Sequence, residues 1–402
     1  MCADGSRLLT ASRSPAEYPL EVKYKSVLES RMPRDPMTLF NLKRLSPKEE
    51  FPNLARNYTC MGRILTLDMY KRQFNRATES GVIFDDVIRP GLEDPGKPSR
   101  PEAVGCVAGD AQSYVLFCDF FDRIIEAYHG YKVTSSRQES DFNYNILKGG
   151  DDFDPAYVAG CKVCVSRSLD DFSFPTHCSR GERRQLLALA KKAFCQLGEQ
   201  FPGQLYSMEE VSQRKQDNGF LLKVPSEFQM RTGMARDWPD SRAVWVSTHD
   251  NLVVWINIED HLQFVSKQDD SNIKKAFETV CTQLQRVEAV YRTLRHSFIW
   301  KEHLGWVVSS PAEVGTGLKA SIRVKLPNMA QHRLLENILE RLRVRMDTRE
   351  SSGVCTVTNA QTIGFTEVEL MQLLVDGVKM LITMEKKLEA SASIDHLIPA
   401  QK

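Results

Sequence analysis

No apolar run in this sequence is long enough to cross a bilayer, which excludes a transmembrane helix as its organising feature. Net charge is nearly absent: 53 Lys and Arg stand against 52 Asp and Glu in 402 residues. A chain so balanced has no bulk field to gather nucleic acid or an anionic membrane, so neither is expected as a partner. It has no Gly-x-x-x-x-Gly-Lys loop and no dinucleotide glycine fingerprint, so the common nucleotide folds are not indicated. Its ten cysteines lack framework spacing and read as reduced thiols of a cytoplasmic protein. Cys161 and Cys164 form a lone Cys-x-x-Cys without a second pair or nearby His, so they read as structural and no metal is expected.

What is present suits an ordinary globular protein, 42% apolar and 26% charged, with length for two domains. Residues 1–36 show no periodicity and read as a disordered tail; Asp4, Glu17, Glu21 and Glu29 argue against a transit peptide. Residues 37–130 read as a small helical unit. Within it Leu67, Tyr70 and Phe74 share a helix face, 81–97 holds a short helix, and Tyr114–Tyr128 forms an amphipathic helix. Polar residues 131–148 make the best linker candidate, before a larger domain over 149–402. There, strand-like runs at Tyr157–Val165, Ala243–Ile258, Gly305–Ser309 and Ser321–Leu326 alternate with helical stretches at 179–199, 272–295, 330–345 and 365–389. Strands returning between such helices predict an α/β or α+β domain built on one sheet.

Residues 252–258 are apolar except Asn257, with four β-branched members, and predict a buried strand. Glu259 and Asp260 follow at once. A carboxylate there is expected at the end of a rigid, water-shielded element, where burial raises proton affinity and suits a general base. An acidic strand terminus is the plainer reading of that stretch alone.

Several short segments together resemble the phosphagen kinases, creatine kinase most of all. They include Gly-Cys-Val-Ala-Gly-Asp (105–110), His-Cys-Ser-Arg-Gly-Glu-Arg-Arg (177–184), Arg-Asp-Trp-Pro-Asp (236–240), Glu-Asp-His-Leu (259–262), Gly-Thr-Gly-Leu (315–318) and Leu-Val-Asp-Gly-Val-Lys (374–379), in family order over about 37–402. The resemblance implies an α+β protein: a small all-helical N-terminal domain, then a larger domain with an antiparallel sheet flanked by helices. It also implies reversible phosphoryl transfer between MgATP and a guanidino compound. In that reaction arginines clamp the phosphates, a glutamate takes the guanidinium proton and a cysteine thiolate tunes the site. Arginine suits the clamp because its permanent charge comes in a bidentate fork.

Carried over residue by residue, the resemblance thins at the site. Glu259 matches the catalytic glutamate and Asp260 the acid beside it, but Ile258 replaces the preceding glutamate. The clamp Arg-x-Arg becomes Lys162-Val163-Cys164, and later clamp arginines become Gln263 and Lys319. The last falls where this chain is shortened, between Arg345 and Thr356, with Asp347 or Arg349 in its place. Ser310 stands for the reactive cysteine, Gly219 and Arg323 for two histidines, and Thr362 for an arginine near the nucleotide. Ile88, in the guanidine-specificity region, reads either as facing a substrate methyl or as core. One lost transition-state stabiliser typically costs ~2.7–4 kcal/mol, and a serine hydroxyl cannot ionise near neutrality as a thiol can. The expectation is a creatine-kinase-like protein with strongly reduced or lost activity and weak or lost MgATP/MgADP binding. It would pair as a homodimer, or as a heterodimer with an active relative. The alternative is an active guanidino kinase, with Glu259 as base and a clamp of Lys162, Lys319, Arg323 and Arg349.

Overall fold

The computed structural model describes residues 45–97, 103–213, 225–248, 251–348 and 353–400. The N-terminal unit packs helices α1 (Leu67–Gln73), α2 (Phe84–Glu93), α3 (Ala111–Leu116) and α4 (Cys118–His129) around aromatic rings. Tyr70 and Phe74 fall on the buried face of α1 as their spacing predicts, and Phe84 meets Phe120 edge-on at 5.1 Å. The single helix expected over Tyr114–Tyr128 is two, broken at Phe117, whose φ of −108° and ψ of 31° leave helical space. Asp110 caps the first of them by accepting from Ser113 N–H at 2.7 Å.

Residues 131–147 are fastened along their length. The Gln138 side chain donates to Phe365 O and accepts from Gly364 N–H, both at 2.7 Å. The Ser140 hydroxyl and Asp141 N–H both donate to the Glu367 carboxylate. Polar composition, read as solvation, here supplies partners for buried groups.

The larger unit is an eight-stranded antiparallel sheet. Its strands are β1 (Val158–Arg167), β2 (Gly203–Ser207), β3 (Ala243–Ser247), β4 (Leu252–Ile256), β5 (Leu262–Gln268), β8 (Leu318–Lys325), β9 (Val344–Asp347) and β10 (Val354–Asn359). Their order across the sheet is β2-β3-β4-β5-β1-β8-β10-β9, and β6 (Trp300–Lys301) and β7 (Gly305–Trp306) form a separate ribbon. The run expected over Ala243–Ile258 is therefore a hairpin, with Val246 opposite Val253. One face of the sheet buries Cys161, Val163 and Val165 of β1 with the apolar faces of α5 (Arg180–Leu197), α6 (Ile273–Thr293) and α7 (Glu367–Glu389). The starts of α5 and α7 are closed by reciprocal capping boxes, Ser179 with Glu182 and Thr366 with Glu369. The helix expected over 330–345 shrinks to Leu335–Leu342, because Arg343 turns left-handed (φ 57°) and the chain continues as β9. Among the described residues no helix is long and apolar enough to cross a membrane.

Candidate functional site

Strand alternation decides which residues can meet on the face opposite those helices. Cys161 and Cys164 are three apart, so they point to opposite faces: Cys161 into the main core, Cys164 into a second apolar cluster. On β1 the open face carries Lys162, Cys164 and Ser166. Register then places Lys319 opposite Cys164, Ser321 opposite Lys162 and Arg323 opposite Gly160 on β8, with Gln263 opposite Ser166 on β5. The positions Lys162, Cys164, Gln263, Lys319 and Arg323, scattered over some 160 residues of chain, thus share one face of three adjacent strands. Asp347 lies at its edge, opposite Thr356, which faces Arg323.

The middle of that face is apolar. Cys164 is 6% exposed and packs with Met208, Val211, Val244, Val253, Trp255, Ile258 and Val265. Burial pushes its thiol up to about 12, with Glu313 adding in the same direction, so it stays protonated. Lys162 and Lys319 are exposed at the margin and Gln263 is half-buried.

The turn between β4 and β5 carries the two acids. Asn257 takes φ 60°, and its amide donates to Arg183 O at 3.0 Å and Ser241 O at 2.9 Å. The tight turn sends the next two side chains opposite ways. Glu259 is exposed; Asp260 is buried at 2%. The water-shielded carboxylate expected at this strand end is therefore Asp260, and Glu259 faces solvent. Burial pushes Asp260 up to about 6 against hydrogen bonds from Ser309 N–H at 2.8 Å and the Ser168 hydroxyl at 3.2 Å. His261 accepts Leu169 N–H at Nδ1 (3.0 Å) and donates from Nε2 to Ser173 O (2.8 Å). Both contacts suit one neutral tautomer, and burial lowers its pKa to about 4.

The segment bearing Ser310 is held from both domains. Ser309 O accepts from Ala108 N–H at 2.7 Å, Val308 O from the Tyr114 hydroxyl at 2.9 Å, and Pro311 O from His129 Nε2 at 3.0 Å. The Ser309 hydroxyl donates to Glu259 O at 3.1 Å, so this segment lies directly against the acidic turn. Ser310 Oγ accepts from Ala312 N–H at 3.3 Å and opens a turn that lifts Glu313 beside Lys319, whose Nζ is 4.0 Å away. The following glycines have no room for a side chain. A Cβ on Gly315 (φ 103°) would stand 2.4 Å from Thr362 O, and one on Gly317 (φ 63°) 2.6 Å from Ser166 O. Thr362 is buried, its hydroxyl donating to Val314 O at 2.7 Å.

Two family models match the chain: ATP:guanido phosphotransferase, N-terminal domain, over 55–126, and its C-terminal catalytic domain over 185–388. The chain belongs to the ATP:guanido phosphotransferase family. Creatine kinase, testis isozyme, of Oncorhynchus mykiss is 42% identical over 379 residues, covering 92% of this chain and 99% of that one. Creatine kinase B-type of Gallus gallus is 42% identical over 370 residues, covering 89% and 97%. Among solved structures, lombricine kinase superposes with a TM-score of 0.79 at 32% identity, over 89% of this chain and all of that one. The fold expected from the resemblance, helical domain then antiparallel catalytic-type domain, is the fold observed.

Within this family fold Lys162, Cys164, Glu259, Gln263, Ser310 and Lys319 come together around one face and its rim. Ile88 does not join them: it is fully buried in the N-terminal core. Arg349 and Gly219 lie outside the described residues. Glu313 was not singled out from the sequence, where it is one more turn acid before Gly-Thr-Gly. Only the sheet order, with β1 alone between β5 and β8, brings the turn before β8 close enough for Glu313 to feel Glu259 and Asp260 as well as Lys319.

Proposed function

We propose that this is a creatine-kinase-like member of the family, cytoplasmic, with phosphotransfer strongly reduced or lost and MgATP or MgADP held weakly or not at all. One observation supports this most: the apolar cluster around Cys164 fills the centre of the face where clamp cations would converge. Phosphoryl transfer is almost wholly alignment and charge neutralisation, so a site whose clamp positions 162, 164, 263 and 319 carry no guanidinium loses much of its means of acceleration. Lys162 and Lys319 can still attract a phosphate as point charges, which suits weak binding better than catalysis. In this reading residues 37–130 and 149–402 are its two domains. The protein serves as a nucleotide-responsive or structural partner, in a homodimer or with an active relative. Calorimetric titration with MgADP, alone and with creatine and nitrate, should give weak or no heat and no synergy. Creatine-dependent ADP formation at ordinary enzyme rates, about 1–10³ per second, would refute the proposal.

A second reading, an active guanidino kinase with a rewired clamp, draws on Glu259. Its carboxylate is solvent-accessible on a turn anchored by Asp260 and Ser309, as a base reaching a bound guanidinium requires. In that case Glu259→Gln abolishes turnover; unchanged turnover in the variant excludes it.

A further inference from the structure

We propose that Glu313 is an internal counter-anion of the open sheet face, its carboxylate standing beside Lys319 where a phosphate or other oxyanion would lie. The inference rests on reading that face as a weakened anion site, and it names the residue that governs the weakening.

Glu313 reaches Lys319 Nζ at 4.0 Å and accepts from the Ser166 hydroxyl at 3.4 Å. Its position is fixed by the turn, where Glu313 N–H donates to Ser310 O at 3.0 Å. Its side chain is 19% exposed, against 62% for Lys319, so the acid is the shielded member of the pair. The titratable groups facing it are Lys319 of β8, Cys164 of β1, Glu259 and Asp260 of the β4–β5 turn, and Tyr114 of α3. Among the described residues Lys319 is the cation that acts on Glu313 directly, against the further carboxylates Glu259 and Asp260, while Lys162 lies next along β1 beside Cys164. An oxyanion approaching Lys319 meets a negative charge already in place, and the shielded setting keeps that repulsion from being screened by water. Burial raises the Glu313 pKa to about 7 despite Lys319, with Asp260 and Glu259 pushing the same way. The charge is therefore present above neutrality and lost below it, so anion affinity should rise as pH falls through that range.

The test is calorimetric titration of MgADP into the full chain at about pH 6 and about pH 8, with Glu313→Gln, Lys319→Gln and the double variant. Glu313→Gln should bind roughly tenfold tighter than wild type at the higher pH. At the lower pH, where wild-type Glu313 is itself neutral, the gap should close to less than about threefold. At the higher pH Lys319→Gln should change little alone but remove the gain made by Glu313→Gln; at the lower pH, where Glu313 is neutral, it should weaken binding. Equal affinities of wild type and Glu313→Gln at the higher pH, or no detectable binding by either, overturn the proposal. So does a gain that persists without Lys319. Urea denaturation of each variant checks that the fold is kept; if Glu313→Gln fails to fold, Glu313→Asn takes its place. Creatine-dependent turnover by wild type would overturn the proposed function and leave this comparison standing; equal affinities overturn only the counter-anion.

Discussion

Replacing Arg167 by Met removes the cation that ties β1 to the start of α7. Arg167 is 1% exposed and donates from Nη1 to Ser166 O at 2.7 Å and Thr316 O at 2.8 Å. Its guanidinium lies 4.3 Å from the Trp306 ring centroid, and Nη2 is 3.7 Å from Glu367 Oε1. Glu367 is completely buried and accepts from Ser140 Oγ at 3.0 Å and Asp141 N–H at 2.9 Å. Burial lowers Arg167 to about 10 and raises Glu367 to about 7, so both ions are held against a desolvation penalty. Taking one partner away leaves an uncompensated buried charge, and ~3–5 kcal/mol of stability should be lost. A raised carboxyl binds its proton more tightly folded than unfolded, so its contribution is full at low pH and lost as pH rises through about 7. Without Arg167 that pKa climbs further. The loss should therefore be greater near pH ~8 than near pH ~5.5, where Glu367 is already neutral. Neutralising the survivor, in Arg167→Met with Glu367→Gln, should recover roughly 1–3 kcal/mol. Urea denaturation followed by circular dichroism at both pH values measures each quantity. A single-variant loss below about 1 kcal/mol at the higher pH, or a double variant as unstable as the sum of its singles, refutes the reasoning.

Glu259→Gln should leave stability within about 0.5 kcal/mol of wild type, since the side chain is exposed. Asp260→Ala strands Ser309 N–H and the Ser168 hydroxyl and should lose ~1–3 kcal/mol; the reverse order in urea denaturation would contradict the turn. Ile88→Ala should destabilise by ~2–5 kcal/mol and leave MgADP titration unchanged, while altered binding would return Ile88 to the site. Iodoacetamide on the native protein should label Cys118 and Cys195, which are exposed, and spare Cys161 and Cys164 until denaturant is added. Peptide mass spectrometry reads this directly, and early labelling of Cys164 would rule out the apolar cluster.

The long helices α5, α6 and α7 were legible because their signals are local: caps such as Ser179–Glu182 and apolar residues at helical spacing lie within a few turns of each other. The strands expected over Tyr157–Val165 and over 252–258, the latter from its β-branched content, were equally readable, and family membership from short motifs in order. Strands β2, β5, β9 and β10 were not, being short runs whose burial depends on neighbours distant in the chain. Alternation along β1 is enough to put Lys162 and Cys164 on the same side of that strand. That Lys319 stands opposite Cys164 and Gln263 opposite Ser166 needed the register of β5 and β8. Likewise the pattern 252–260 marked a strand followed by acids, but only the turn at Asn257 decided that Asp260 is buried and Glu259 exposed. Residue identity thus determined which chemistry the chain can offer. Which charges face one another, and how dry their surroundings are, was decided by nonlocal pairing, because solvation depends on what packs alongside in space rather than on what precedes in sequence.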